Sequence, residues 1–115
     1  MKVSHQQFND EAGALALIEA RGYNSVVLDN PAGEAESHWH EFDSITCILS
    51  GKLVVTDVAT GTVHECTAGS LIDLPEACLH AESTPGFRAA IGVSLPLGQI
   101  SEPINKPAAS LPGAS

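Results

Sequence analysis

An all-β barrel or sandwich carrying one short N-terminal α-helix is the fold class that this 115-residue sequence predicts, on three observations. Short apolar runs recur from Ala35 to Leu95, glycine-bearing turn signals separate them, and no helical periodicity interrupts them. A parallel α/β sheet is disfavoured by the missing helices, and no internal repeat points to a solenoid.

The helix comes first. Between Asn9 or Asp10 and Arg21 the apolar residues Ala14, Leu15, Leu17 and Ile18 fall near helical spacing, behind a capping side chain and ahead of Gly22 as a stop. Ser25–Asp29 then reads as a strand ending at Asn30-Pro31, because proline and its predecessor resist regular structure. Further strands are expected at Ile45–Leu49, Leu53–Val58, Val63–Cys66, Leu71–Leu74 and Phe87–Leu95. The turns between them are placed at Ser50-Gly51, Thr60-Gly61, Ala68-Gly69 and Thr84-Pro85-Gly86. The chain is expected to form one domain, with residues 1–30 packed on a barrel of residues 31–100. Residues 101–115 form a Pro/Ala/Ser-rich tail that is either loose or laid across a neighbouring subunit, since its own burial cannot offset the entropy of ordering it.

Composition excludes several classes of function. Fourteen acidic against five basic side chains give a net charge of −9, which repels phosphate backbones and anionic lipid, so no nucleic acid and no membrane are expected as partners. Cys47, Cys66 and Cys78 form no CxxC and leave one over, which fits reduced thiols rather than a disulfide framework or a zinc ribbon. No apolar run is long enough for a signal peptide or approaches the ~18 residues of a membrane span, so a cytoplasmic location is expected. Exposed strand edges point to a homodimer, because small open sheets commonly cover their edges with another subunit.

Chemistry concentrates in the histidines. His38-Trp39-His40 places two imidazoles at i and i+2, which in an extended strand project from one face. Such a pair can grip an ion, with a distant third histidine completing a facial set, or it can be two surface histidines on an acidic strand.

The order of glycines, proline and histidines resembles the two motifs of the cupin superfamily. Gly33, His38-Trp39-His40 and Gly51 match the first motif, and Gly69, Pro75 and His80 match the second, in register and over roughly residues 25–95. Ala77 stands at the second motif's other glycine, Thr84 at its asparagine, and Ser44 at the first motif's glutamate. The resemblance implies a double-stranded β-helix, or jelly-roll barrel, with metal ligands His38, His40 and His80 near its mouth and a ligand pocket behind them. It also implies a divalent transition metal, Fe, Mn, Ni or Zn, and a small-molecule ligand or substrate. Three histidines without the carboxylate leave open positions, as in cupins that include thiol dioxygenases and a diketone-cleaving dioxygenase.

Around that centre, Asp43, Glu41, Ser44 and Cys78 are candidates for the fourth ligand or for positions near it, each with the alternative of a solvated loop carboxylate or a packed small side chain. Glu82, two residues after His80, faces the interior if the strand is regular, where an apolar setting would raise its pKa toward acid–base catalysis; otherwise it is a strand-end carboxylate in solvent. Thr46 and Ile48 share the inward parity of Ser44, whereas Ile45, Cys47 and Leu49 face the other way. Trp39 is expected to pack against a second element or a subunit interface, and Arg88 to meet an anionic substrate or solvent. The functions compatible with these residues are a metal-dependent enzyme, dioxygenase-like or isomerase/lyase-like, on a small polar or carbonyl-bearing molecule; a non-catalytic cupin that senses or binds a ligand or metal; and a structural barrel.

Overall fold

The computed structural model describes residues 1–100 and 104–111; the expected tail is thus seen in part, with 101–103 and 112–115 outside the described residues. Its elements are β1 (Lys2–Ser4), α1 (Glu11–Ala20), β2 (Asn24–Asn30), β3 (Gly33–Trp39), β4 (Ser44–Asp57), β5 (Thr62–Cys66), β6 (Leu71–Leu74), β7 (His80–Val93) and β8 (Lys106–Pro107). All pairings are antiparallel.

Two 14-residue strands, β4 and β7, form the spine and pair along their whole length. The first half of β4 also pairs with β6 and its second half with β5, while the first half of β7 pairs with β3 and its second half with β2. One bent pair of strands therefore belongs to two sheets, β1-β6-β4-β7-β2 and β5-β4-β7-β3-β8, which is a jelly-roll barrel.

The bend corrects two expected turns. Ser50-Gly51 and Thr84-Pro85-Gly86 lie inside continuous strands, at register shifts between Ile48 and Ser50 and between Lys52 and Val54. Gly51 and Gly86 carry φ of +80° and +127° and meet across the two strands, so the chain turns a corner without leaving the ladder. Pro85 has no N–H to offer a ladder and sits in the bulge, while Thr84 Oγ1 donates to the Lys52 carbonyl and accepts from Gly86 N. Glycine and proline mark a corner as readily as a hairpin tip, and the local signal is the same for both.

The corner also switches strand parity. Before it Ile48 points into the barrel, and after it Leu53 and Val55 do, joining Cys66, Ile72, Leu74 and Ala89 in the inner core. On the opposite face Ile45, Cys47 and Ala90 meet Ala14 and Ile18 of α1. The helix starts where Asp10 Oδ1 accepts from Gly13 N at 2.8 Å and stops before Gly22, whose φ is +72°. Gly92 admits it closely, since a Cβ there would lie 2.6 Å from Ile18 Cγ2. Burial pushes the thiols of Cys47 and Cys66 up to about 11, leaving both as protonated packing groups.

The tail corrects another expectation. Residues 106–107 pair with His38 and Trp39 of β3, Trp39 Nε1 donates to the Pro107 carbonyl at 3.1 Å, and Lys106 lies 4.0 Å from Glu41. The segment is ordered by hydrogen bonds to a strand edge and by an aromatic side chain, sources that composition does not reveal. Among the described residues no helix is long and apolar enough to cross a membrane.

Candidate metal centre

A bulge in β3 aims the first of the three histidines. Ala35 pairs with Glu82 and His38 with His80, so the register shifts across Glu36-Ser37 and brings His38 directly opposite His80 on β7. Their rings lie 4.1 Å apart, and His40, just past the end of β3, lies 5.2 Å from His38 and 5.0 Å from His80. His38 and His80 are buried and His40 is half-buried.

Each ring is oriented by the main chain. Nδ1 of His38 donates to the Glu36 carbonyl at 2.6 Å, Nδ1 of His40 to the Ile104 carbonyl at 3.0 Å, and Nδ1 of His80 to the Cys78 carbonyl at 3.0 Å. A carbonyl oxygen can only accept, so each Nδ1 carries a proton, and in the neutral ring Nε2 is then the nitrogen with a lone pair to offer a metal. The three rings offer ligand atoms within 4.8 Å of one another. Nitrogens bound at ~2.1 Å in a facial set stand about 3 Å apart. The donor set suits a borderline divalent transition metal.

The turn before β7 completes the frame. Ala77 N donates to the His40 carbonyl at 3.0 Å, and Ala77 adopts φ +64°. Alanine at this motif glycine therefore sits in the left-handed region at a cost of about 1 kcal/mol. Phe42, also buried, stacks on His40 with ring centroids 5.1 Å apart.

Electrostatics keep the rings ready. Burial, aided by the neighbouring His80, pushes His38 and His40 below the usual 6.5 and outweighs the carbonyl hydrogen bonds that raise them. Glu82 reaches the same centre, with Oε1 3.5 Å from His80 Nε2. Burial pushes its carboxyl up, but the His80 contact and the three imidazoles prevail and lower it, which reverses the expected rise.

These directions set a pH dependence for the metal-free protein. His38 and His40 resist protonation when folded but take up protons near pH 6.5 when unfolded, so the unfolded state binds more protons and stability falls as pH drops below about 6.5. Glu82 adds a further loss below about pH 4.5, since its depressed folded value favours the folded state only above that point. Calorimetry is expected to give a lower thermal midpoint at about pH 5.5 than at about 7.5, with part of the difference removed in His38→Phe.

The other candidates separate cleanly. Ser44 is buried and lines the cavity beside the histidines, as does Thr46. Asp43 does not line it: its Oδ1 accepts from Glu76 N at 2.7 Å and so fastens the 75–77 turn instead. Glu41 lies toward Lys106 rather than on the cavity wall. Cys78 contributes its carbonyl to His80, while its side chain packs against the inner core. Arg88 is exposed and held by Asp29 and Glu11, each at 3.2 Å, which removes it from any substrate role inside the barrel. Asn30, Phe42 and the Ile104 carbonyl were not legible as site groups; the Asn30-Pro31 pair signals only a strand end, and a main-chain acceptor has no sequence signature.

Behind the imidazoles lies a cavity of about 310 Å³, at the low end of the range for small-molecule sites. Its walls are mainly apolar, with Glu82, Asn30, Ser44 and Thr46 among the polar side chains on them. A larger cleft of about 540 Å³ between Phe8 and Gly69 has no histidine or cysteine on its walls.

No family model and no curated protein matches the chain. Solved structures do. A polyketide cyclase from Streptomyces resistomycificus is 21% identical with a TM-score of 0.52, over 60% of this chain and 53% of the cyclase. A DUF861 family protein from Thermotoga maritima is 16% identical with a TM-score of 0.58, over 80% of this chain and 97% of that one. A cupin-2 domain containing protein from Shewanella frigidimarina is 18% identical with a TM-score of 0.52, over 60% and 67%. The match thus spans about half the length of the cyclase. At these identities the likeness shows the fold, and the fold is that of a small cupin.

Proposed function

We propose that this cupin-fold chain is a divalent-metal-binding protein whose His38, His40 and His80 hold one ion, and that it is a metal-dependent enzyme, dioxygenase-like or isomerase/lyase-like, acting on a small carbonyl-bearing or otherwise polar molecule. One observation carries the reading: three clustered imidazoles, with ligand atoms within 4.8 Å of one another, each commit Nδ1 to a main-chain carbonyl, so that in the neutral rings Nε2 is the nitrogen left for an ion. Imidazoles kept for packing alone have no need of matching tautomers.

The ion would supply Lewis acidity or a redox partner. The chain's own groups do the rest. The apolar walls exclude water and hold the ligand against the imidazoles, and Glu82 accepts or returns a proton at its Oε1 beside the centre. A solved neighbour that is a polyketide cyclase supports chemistry on carbonyl compounds in this architecture.

The test is metal analysis of untagged protein followed by turnover assays on a panel of small carbonyl compounds with iron, manganese, nickel or zinc restored. About one ion per chain and turnover that chelation abolishes are expected. Glu82→Gln, which keeps shape but not basicity, is expected to lower kcat by about 10²–10⁴ while metal content stays near one. Bound metal with no turnover would instead favour a second reading, a non-catalytic cupin that binds or senses a ligand, for which the mainly apolar cavity speaks.

A further inference from the structure

We infer that the molecule this cavity takes is uncharged and largely hydrocarbon, with a single acceptor oxygen that Asn30 recognises. The inference deepens the proposed function and rests on its reading that the cavity beside the imidazoles is the ligand site.

Two independent observations lead there. Asn30 closes β2 and lines the cavity, and its Nδ2 is buried with no hydrogen-bond partner. A buried amide N–H left unmade is costly, and natural proteins keep such groups where something else completes them. The terminal torsion of asparagine is broad, so the amide turns its N–H toward a ligand oxygen at little cost. That oxygen must be an acceptor, which a ketone, aldehyde or ester carbonyl provides.

The second observation is charge. No lysine or arginine is among the described residues that line the cavity, and most of its wall is apolar. In the metal-free protein a carboxylate or phosphate ligand would be desolvated there with no cationic side chain to pair with it. An ammonium group would lose its hydration against Val26, Leu28, Phe87 and Ile91. Neutral ligands escape both costs. The volume of about 310 Å³ limits them to compact molecules.

Asn30 is therefore a specificity-determining residue whose amide Nδ2 no other protein group engages. Such a group has a signature that ordinary packing lacks, because replacing it by a similar-sized apolar residue removes a defect of the empty protein and a contact of the filled one.

The experiment uses three probes of one ring size, cyclohexanone, cyclohexanecarboxylate and cyclohexylammonium, titrated into the full chain and followed by amide chemical shifts at Phe87 and Ile91. It is run on metal-free and on zinc-loaded protein. Cyclohexanone is expected to bind at least about tenfold more tightly than either charged probe in the metal-free state. Asn30→Leu is expected to weaken ketone binding about 5- to 10-fold and to raise the thermal midpoint by about 4 °C. Should Asn30→Leu not fold, Asn30→Ala replaces it with the same expected loss of ketone binding. A charged probe that binds as tightly as the ketone, no ketone binding at Phe87 and Ile91, an unchanged ketone affinity in the variant, or lost affinity with a lowered midpoint in Asn30→Leu overturns the inference. Zinc stoichiometry is read separately, so a missing ion would sink the metal reading while leaving a metal-free ketone preference standing, and the reverse outcome is equally visible.

Discussion

Alanine at His38, His40 or His80 is expected to reduce bound metal from about one ion per chain to nearly none, with an affinity loss beyond about 100-fold for each single variant. Groups that merely orient a ligand cost 10- to 100-fold when removed, and a ligand itself must cost more. His80→Ala should be the most severe, because His80 is almost fully buried opposite His38 and its loss also opens a void between β3 and β7. Plasma mass spectrometry on untagged protein gives the stoichiometry, and competition with a chelator gives the affinity. Wild-type metal content in all three variants would dismiss the centre. Fold is checked by circular dichroism, since loss of metal from an unfolded chain would say nothing about ligation.

Gly51→Ala is expected to destabilise the barrel by about 3 kcal/mol or more without touching any histidine. The new Cβ would lie 2.7 Å from Cα of Phe87 and closer still to the Gly86 carbonyl oxygen, both main-chain atoms that cannot rotate away. A φ of +80° adds about 1–2 kcal/mol for any residue with a side chain, and overpacking adds about 1–3 kcal/mol. For a domain of this size that is a fall of the thermal midpoint by roughly 12 °C or more. A midpoint within about 2 °C of wild type would mean that the corner relaxes, and that the β4–β7 bend does not depend on glycine.

How much of this was legible in the sequence differs from element to element. The helix was, because Asp10 and Gly22 bracket an apolar patch and caps are local chemistry. The inward parity of Ser44, Thr46 and Ile48 was, because strand alternation is strict up to the first bulge. Beyond it parity switched at Gly51, and a glycine that bends a strand cannot be told from one that ends it until the partner strand is known. His38, His40 and His80 were legible through spacing in a two-motif resemblance, while the groups that orient them were not. Main-chain carbonyls of Glu36, Cys78 and Ile104 have no residue type to search for, and Cys78 drew attention for its sulfur although its oxygen is what the site uses. Glu82 lies 3.5 Å from His80, as regular strand alternation implies, but the direction of its titration depends on three ring positions known only in space.

The hydrogen bond from His40 to the Ile104 carbonyl ties an otherwise unremarkable terminal segment to the heart of the barrel. A protease that trimmed the chain ahead of residue 104, or a fusion partner that pulled the strap from its seat beside Trp39, would reach the centre with every imidazole still in place. His40 alone would then be free to swivel or change tautomer, loosening the proposed three-ring site to two fixed rings. Tag placement on this protein is therefore a chemical variable as well as a convenience.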